Sequence, residues 1–505
     1  MAGLSTNAPG LWGGFAGLLY GSTSLSTPPG FLADATAPVA PFSPASLFAA
    51  SEPGVWYDPS DFSTMFQDSA GTTPVTAVEQ PVGLILDKSQ GLALGPELVT
   101  NGDFATDTGW TKSGSVTWSS GQYVVADVGG TDAFIQQTLA STVSGAWYKI
   151  NFTVSAATST GRIYLGNILI STLGVGTHTV YCSAPASATY VRFMVVNADA
   201  SATITNISVK LLSGNHATQA TSASRPVLSA RVNLLLATAT LATQNVTTRA
   251  ATYTLSFTGA GTVTTTGTNI GVYSAGTHSI TCTAGTLTLT VVGAVTLADL
   301  RVANTGVGLP AYQAVVTSTN YDTTGFPYYL RFDGTDDSLA TSTITPGIDK
   351  AQVFSGVRKQ SDASYPLVVE LSANVNSNNG ALVIYCSGSV VNSAGWQYTS
   401  KGTVASAAQV GSGYASPITN TIVGLSDISG DRATLFANGA QIAQSTSDQG
   451  TGNYLAYPLY IGRRGGTTLP FNGNLYSLIV RFGANLDATT ISNTETWVNG
   501  KTMAY

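Results

Sequence analysis

Two short stretches of the chain combine side chains able to ligate a metal. Gly-Thr-His-Thr-Val-Tyr-Cys at 176–182 and Gly-Thr-His-Ser-Ile-Thr-Cys at 276–282 hold two of the three histidines and two of the three cysteines. A zinc site needs imidazole and thiolate atoms about 2.0–2.3 Å from one ion. Both stretches alternate, with His178, Val180 and Cys182 on one side and Thr177, Thr179 and Tyr181 on the other, and the second copy does the same through His278, Ile280 and Cys282. Alternation of this kind is strand periodicity. At ~3.3 Å per residue, a His and a Cys four positions apart share a face but lie roughly 13 Å from each other. The expected reading is a repeated piece of fold, in which a glycine turn leads into a strand. The other group with ligand chemistry is acidic: Asp333, Asp336 and Asp337 stand within five residues around Gly334. Aspartates on such a phrase commonly cap their own backbone, and a calcium site is the alternative for this oxygen set.

Repeated fold requires repeated flanks, and these occur. Tyr148-Lys-Ile-Asn-Phe-Thr precedes the first copy as Tyr253-Thr-Leu-Ser-Phe-Thr precedes the second, and Thr203-Ile-Thr-Asn-Ile-Ser-Val follows the first as Thr296-Leu-Ala-Asp-Leu-Arg-Val follows the second. Three strands therefore recur in order, which predicts two related β-modules.

The elements around them are predicted to be strands as well. Only 9% of the 505 residues are charged, against a usual ~25%, and Gly, Ala, Ser, Thr and Val dominate, the composition of short strands joined by tight turns. The length implies about two to four cores. A net charge of -6 from 26 acidic and 20 basic side chains offers no basic stripe for phosphates, which argues against nucleic acid as a partner. Three scattered cysteines make no disulfide framework and suit a reducing cytoplasm. No Lys precedes Lys88 and no Arg precedes Arg162, so the positive start of a signal peptide is missing, and no run reaches the ~18 apolar residues of a membrane span.

Glu97-Leu-Val-Thr-Asn-Gly-Asp-Phe-Ala-Thr-Asp-Thr-Gly-Trp at 97–110, closed by Ile-Thr-Asn-Ile-Ser-Val-Lys-Leu-Leu at 204–212, resembles the jelly-roll carbohydrate-binding modules. That resemblance implies sugar binding on exposed rings that stack on a pyranose, with Trp118, Tyr123 and Trp147 as candidates, whereas Trp110 is expected inside. The second module, roughly 233–308, lacks the Asn-Gly-Asp-Phe opening and any Trp, so no ligand is assigned to it. Further on, LRFDGTDDSLATSTI (330–344), LFANGAQIAQS (435–445), LYIGRRGG (459–466) and FNGNLYSLIVRF (471–482) resemble the concanavalin A-like, or laminin G-like, sandwich. There Asn438-Gly439 supplies the φ > 0 residues of a two-residue hairpin. After it, Leu486, Ile491 and Trp497 are spaced as on a short amphipathic helix, with Asp487 near its start and Gly500 as its stop signal.

Phrases that resemble the earlier part of the same family are scattered: VWYDPSDFST at 55–64, LILDKSQG at 84–91 and HATQATSASRP at 216–226. Nesting accounts for this, because insertions into surface loops cost little closure entropy. The expected layout is a laminin G-like host over 49–95, 213–232 and 309–505, with the jelly-roll module at 96–212 and a second, smaller β-sandwich at 233–308 as insertions. A simple tandem of domains is the alternative. Residues 1–48, apolar and carrying no charge except Asp34, are expected to be a mostly extended anchor seated on a partner through Trp12, Phe15, Leu18 and Leu19.

The fold class expected is thus all-β, as multi-domain sandwiches with one short C-terminal helix. An enzyme is disfavoured: glycosidases need two carboxylates ~5–9.5 Å apart in a cleft, the three aspartates sit on a turn, and no Ser/His/Asp, P-loop or dinucleotide signature appears. The whole resembles the virion structural proteins of tailed bacteriophages, namely fibres, spikes and head decorations. This implies a homo-oligomer made in the host cytoplasm, contacting other virion proteins through its N-terminal segment and binding host surface glycans through its modules. It implies no nucleic acid, no membrane insertion and no cofactor beyond calcium. A bacterial carbohydrate-binding adhesin or lectin is the alternative, and the missing signal peptide weighs against it.

Overall fold

The computed structural model describes residues 42–140, 142–185, 189–230, 233–248, 250–303, 312–315, 328–363, 365–387, 393–502 and 504. All of these lie in the compact unit Phe42–Tyr505. The anchor residues Trp12, Phe15, Leu18 and Leu19 lie outside the described residues.

The chain is nearly all antiparallel β, as composition predicts, arranged as one large and two smaller sandwiches. The large sandwich packs two nine-stranded sheets face to face. In one, the long strand Asn472–Phe482 pairs with Gly54–Tyr57, with Tyr329–Asp333 and with Lys350–Lys359. In the other, Leu84–Ile85 and Leu339–Ile344 flank Ala217–Thr218. Val55, Tyr57 and Ile85, then Ala217 and Leu228, then Leu330, Phe332 and Leu475 share one core. Three separated stretches of chain therefore build a single apolar interior.

The strands from Leu94–Glu97 to Ser201–Leu212 form the first small sandwich, of six- and five-stranded sheets, and those from Gln244–Thr248 to Thr296–Val302 form the second, of four and three. Each has its own core. The repeat read from the sequence is present as three strands in the same order: Gly176–Ser183, Trp147–Ala157 and Ser201–Leu212 match Gly276–Cys282, Ala251–Thr258 and Thr296–Val302. The copies pair two residues out of step, with Tyr148 opposite Cys182 but Tyr253 opposite Ile280. A shift of two keeps every side chain on its original face, so the same inward pattern survives it.

The repeated histidines have a structural task. His178 Nε2 lies 2.8 Å from the Gly174 carbonyl, and His278 Nε2 lies 2.7 Å from that of Ser274. A carbonyl only accepts, so each ring donates from Nε2 and closes the turn that launches its own strand. Cys182 and Cys282 are free and buried in separate cores, and burial pushes the Cys182 thiol up to about 12.

The predicted hairpin has Asn438 at φ 50° and Gly439 at φ 77° between Arg432–Ala437 and Ala440–Ser445. Both residues are left-handed, as a type I′ turn requires. The single α-helix among the described residues, Ala488–Thr502, lies on the outer face of the first large sheet, where Val498, Ile491 and Trp497 meet Trp56, Phe354, Val423 and Ile479. Asp487 caps it by accepting the Thr490 amide at 2.8 Å. Gly500 does not stop the helix, which continues to Thr502. Thr502 is buried beside Gly356 of the strand Lys350–Lys359, and its hydroxyl donates back to the Val498 carbonyl at 2.7 Å, so the last turn packs on the sheet.

Candidate functional site

The three rings offered for sugar stacking sit in different places. In strand Trp147–Ala157, Ile150, Phe152 and Val154 point into the small sandwich, which sends Trp147 outward. That outward position meets the large sandwich. Trp147 is only 5% exposed and packs with Tyr181 and Leu212 against Phe66, Leu84 and Leu86. Tyr123 is fully buried, edge-on to Phe104, with its hydroxyl donating to Asp107 at 3.0 Å. Neither ring has a free face for a pyranose. Trp118 is half-buried against the module core, its Nε1 donating to the Phe104 carbonyl at 2.9 Å. Trp110 is buried, as expected.

The seam between the two sandwiches is close. Tyr181 N donates to the Ala70 carbonyl at 2.7 Å, and a Cβ on Gly71 would come within 2.3 Å of the Tyr181 ring. Beside it opens a cleft of about 340 Å³ walled by Phe66, Thr72, Pro74, Leu173, Thr177 and Thr179.

Solvent-facing aromatics occur on the other sheet of the first small sandwich. Strands Ala133–Thr138, Gly161–Leu165 and Tyr190–Val195 are neighbours, and Ile135, Ile163, Val191 and Phe193 fill the core. Strict alternation then turns Phe134, Gln136, Arg162, Tyr164, Tyr190, Arg192 and Met194 outward, all of them half-buried. Register places Tyr164 directly opposite Arg192, and Arg192 opposite Gln136. The Arg192 guanidinium lies 4.4 Å from the Phe134 ring centroid and 4.7 Å from that of Tyr190, and its Nε and Nη2 donate to Gln136 Oε1 at 2.9 and 2.7 Å. The Tyr190 hydroxyl in turn donates to Asn167 Oδ1 at 2.5 Å. The result is a half-exposed surface of rings and amide groups around a fixed cation. Sequence reasoning passed over these residues, although the alternation in Tyr-Val-Arg-Phe-Met-Val at 190–195 already separates Tyr190, Arg192 and Met194 from the apolar side.

The acidic cluster is assembled, and Asp333, Asp336 and Asp337 bring carboxylate oxygens within 4.8 Å of one another. Most of their bonding is internal to the turn. Asp333 Oδ1 accepts the amides of Thr335 at 2.7 Å and Asp336 at 3.2 Å, Asp337 Oδ2 accepts the amide of Asp333 at 3.0 Å, and Asp336 Oδ2 accepts the Ser224 hydroxyl at 2.6 Å. Burial, and then the charges of Asp333 and Asp336, push the Asp337 carboxyl up to about 7. A carboxyl whose folded pKa exceeds its unfolded one stabilises the fold below about pH 4, and that contribution is lost as pH rises through about 7. In EDTA, wild type is expected to lose about 1–2 kcal/mol from this group between pH 5 and 8, after allowance for solvent screening. Asp337→Asn, which keeps the acceptor and removes the charge, is expected to flatten that part of a urea-midpoint profile against pH.

No protein-family model matches the chain, and no curated protein matches it. Among solved structures, the chain is similar to the CBM40 module of a Ruminococcus gnavus IT-sialidase bound to α2,3-sialyllactose, at 17% identity and TM-score 0.24 over 29% of this chain and 82% of that one. It is similar to a heptameric SAP-like pentraxin of Limulus polyphemus at 14% identity and TM-score 0.26, over 34% of this chain and 80% of that one. The NanB sialidase of Streptococcus pneumoniae follows at 14% and 0.25, over 32% and 26%.

Proposed function

We propose that this protein is a non-enzymatic display protein whose first small sandwich binds glycans on the outer face of its five-stranded sheet. One observation carries the reading: Phe134, Tyr164 and Tyr190 face solvent around a fixed Arg192, on a sheet whose inward residues are fully committed to the core. Sugar recognition needs this combination of flat apolar rings and orienting hydrogen-bond donors. The large sandwich then acts as a host that carries the modules at 96–212 and 233–308 as insertions in its loops, and a calcium ion held by Asp333, Asp336 and Asp337 is a secondary proposal for the host. The finer assignment, to a phage virion as a fibre, spike or head decoration, is supported by the apolar, almost uncharged N-terminal segment with Trp12, Phe15, Leu18 and Leu19, which suits burial on a partner protein.

Two measurements test these readings. The full chain is expected to be retained on an array of bacterial surface glycans, and Tyr164→Ala to weaken that retention about tenfold, the loss of one stacking ring. A wild-type chain retained by no glycan ends the binding reading. For the virion assignment, a chain beginning at Phe42, which keeps Leu47 and Phe48 in the core beside Trp56 and Ile479, is expected to fold but to be absent from assembled particles; its incorporation at full occupancy would place attachment elsewhere.

A further inference from the structure

Arg192 is held as recognition arginines are held. Its faces rest near two rings, and one edge, Nε with Nη2, is spent on a single oxygen of Gln136. This leaves the adjacent edge, where Nη1 and the second N–H of Nη2 present two parallel N–H groups, without an acceptor among the described residues. No carboxylate pairs with Arg192 or with Arg162 among the described residues. Arg162 stands opposite Met194, two residues along the strand from Arg192. Diagonal neighbours in a sheet are roughly 7–8 Å apart, within reach of long side chains. Two unpaired cations thus share one face of a protein whose net charge is -6. A guanidinium immobilised beforehand loses little entropy on binding, and its two-pronged edge matches a carboxylate in geometry and charge.

We infer that the ligand of this face is a saccharide bearing a carboxylate, as in uronic or sialic acids. The carboxylate pairs with the Nη1/Nη2 edge of Arg192, Arg162 adds a second charge, and the sugar ring lies on Tyr164. The inference rests on the glycan reading above and names its substrate class.

The test compares matched pairs that differ only in the acid: tri-galacturonate against its methyl ester, and sialyllactose against its methyl ester, titrated into the full-length chain by calorimetry. At least one acidic member is expected to bind about tenfold or more tightly than its neutral partner, the worth of one charge-assisted fork, with the preference shrinking as salt is raised. Arg192→Gln is expected to abolish the preference while leaving residual binding that Tyr164→Ala removes. Arg192→Lys, which keeps charge without the fork, is expected to fall between. Equal binding of acidic and neutral members, or an Arg192→Gln variant with its preference intact, overturns the inference and leaves the glycan reading standing. Wild-type binding to none of the four overturns the inference, while the glycan reading is decided by the array. A circular dichroism spectrum matching wild type establishes that the variants are folded.

Discussion

Replacing Asp87 by alanine is expected to destabilise the large sandwich by about 3–5 kcal/mol, the cost of breaking a fully buried charged hydrogen-bond network. Asp87 has no exposed surface. Its Oδ1 accepts the amides of Trp56 and Ser89, both at 2.8 Å, and its Oδ2 accepts the Ser89 hydroxyl at 2.8 Å and the Asn215 amide at 2.7 Å. Its own amide donates to His216 Nδ1 at 2.9 Å. One carboxylate thereby ties together three segments, at 56, 89 and 215, at the place where the chain leaves the large sandwich for the first small one and returns. Alanine would orphan four donors at once, three of them buried, each buried one costing about 1–3 kcal/mol before relaxation. Asparagine keeps one acceptor oxygen but presents an amide to the Asn215 N–H, so Asp87→Asn should cost less than alanine and still be measurable. The urea midpoint of the large sandwich reads both.

The pH dependence at this junction has two limbs of opposite sign. Burial pushes the Asp87 carboxyl up to about 6, so its contribution to stability is present below about pH 4 and lost as pH rises through about 6. Burial pulls the His216 imidazole down to about 3, so the unfolded chain takes up that proton first, and stability rises with pH between about 3 and 6.5. The two oppose each other between pH 4 and 6.

The second large effect is expected at Glu370. Its carboxylate is fully buried on the outer face of the second large sheet, accepting from Arg464 Nε at 2.8 Å and from the Val375 amide at 2.6 Å. Arg464 also contacts the Tyr385 hydroxyl, and the Tyr365 and Tyr385 rings pack at 4.6 Å with their planes tilted by 54°. Lys401 closes the same region by donating to the carbonyls of Val375 at 3.0 Å and Asn376 at 2.9 Å. Glu370→Ala leaves an uncompensated guanidinium in a dry setting and should cost about 3–5 kcal/mol, whereas Glu370→Ala combined with Arg464→Met should cost less than the single change. A double-mutant cycle on urea midpoints measures the difference. Equal losses in the single and double variants would mean that Arg464 finds solvent without Glu370.

Much of this was legible in the residues. Alternation alone marks His178, Val180 and Cys182 as one face, the ~3.3 Å rise alone keeps His178 and Cys182 from sharing an ion, and Asn438-Gly439 alone specifies a hairpin, because both positions must take φ > 0. These are local properties, set by sterics over a few neighbouring residues. Other features depended on what lies across a face. Periodicity sends Trp147 outward from its own sheet, and only the packing of Phe66, Leu84 and Leu86 over it makes that outward ring a buried one. Gly500 carries a stop signal that the sheet beneath the helix overrides. The Arg192 surface needed three strands from different parts of the module brought into register, with Tyr164 and Gln136 on either side of one guanidinium. A single strand specifies which side chains share a face; strand pairing decides their cross-strand neighbours, and the docking of one sandwich on another decides which faces keep their water.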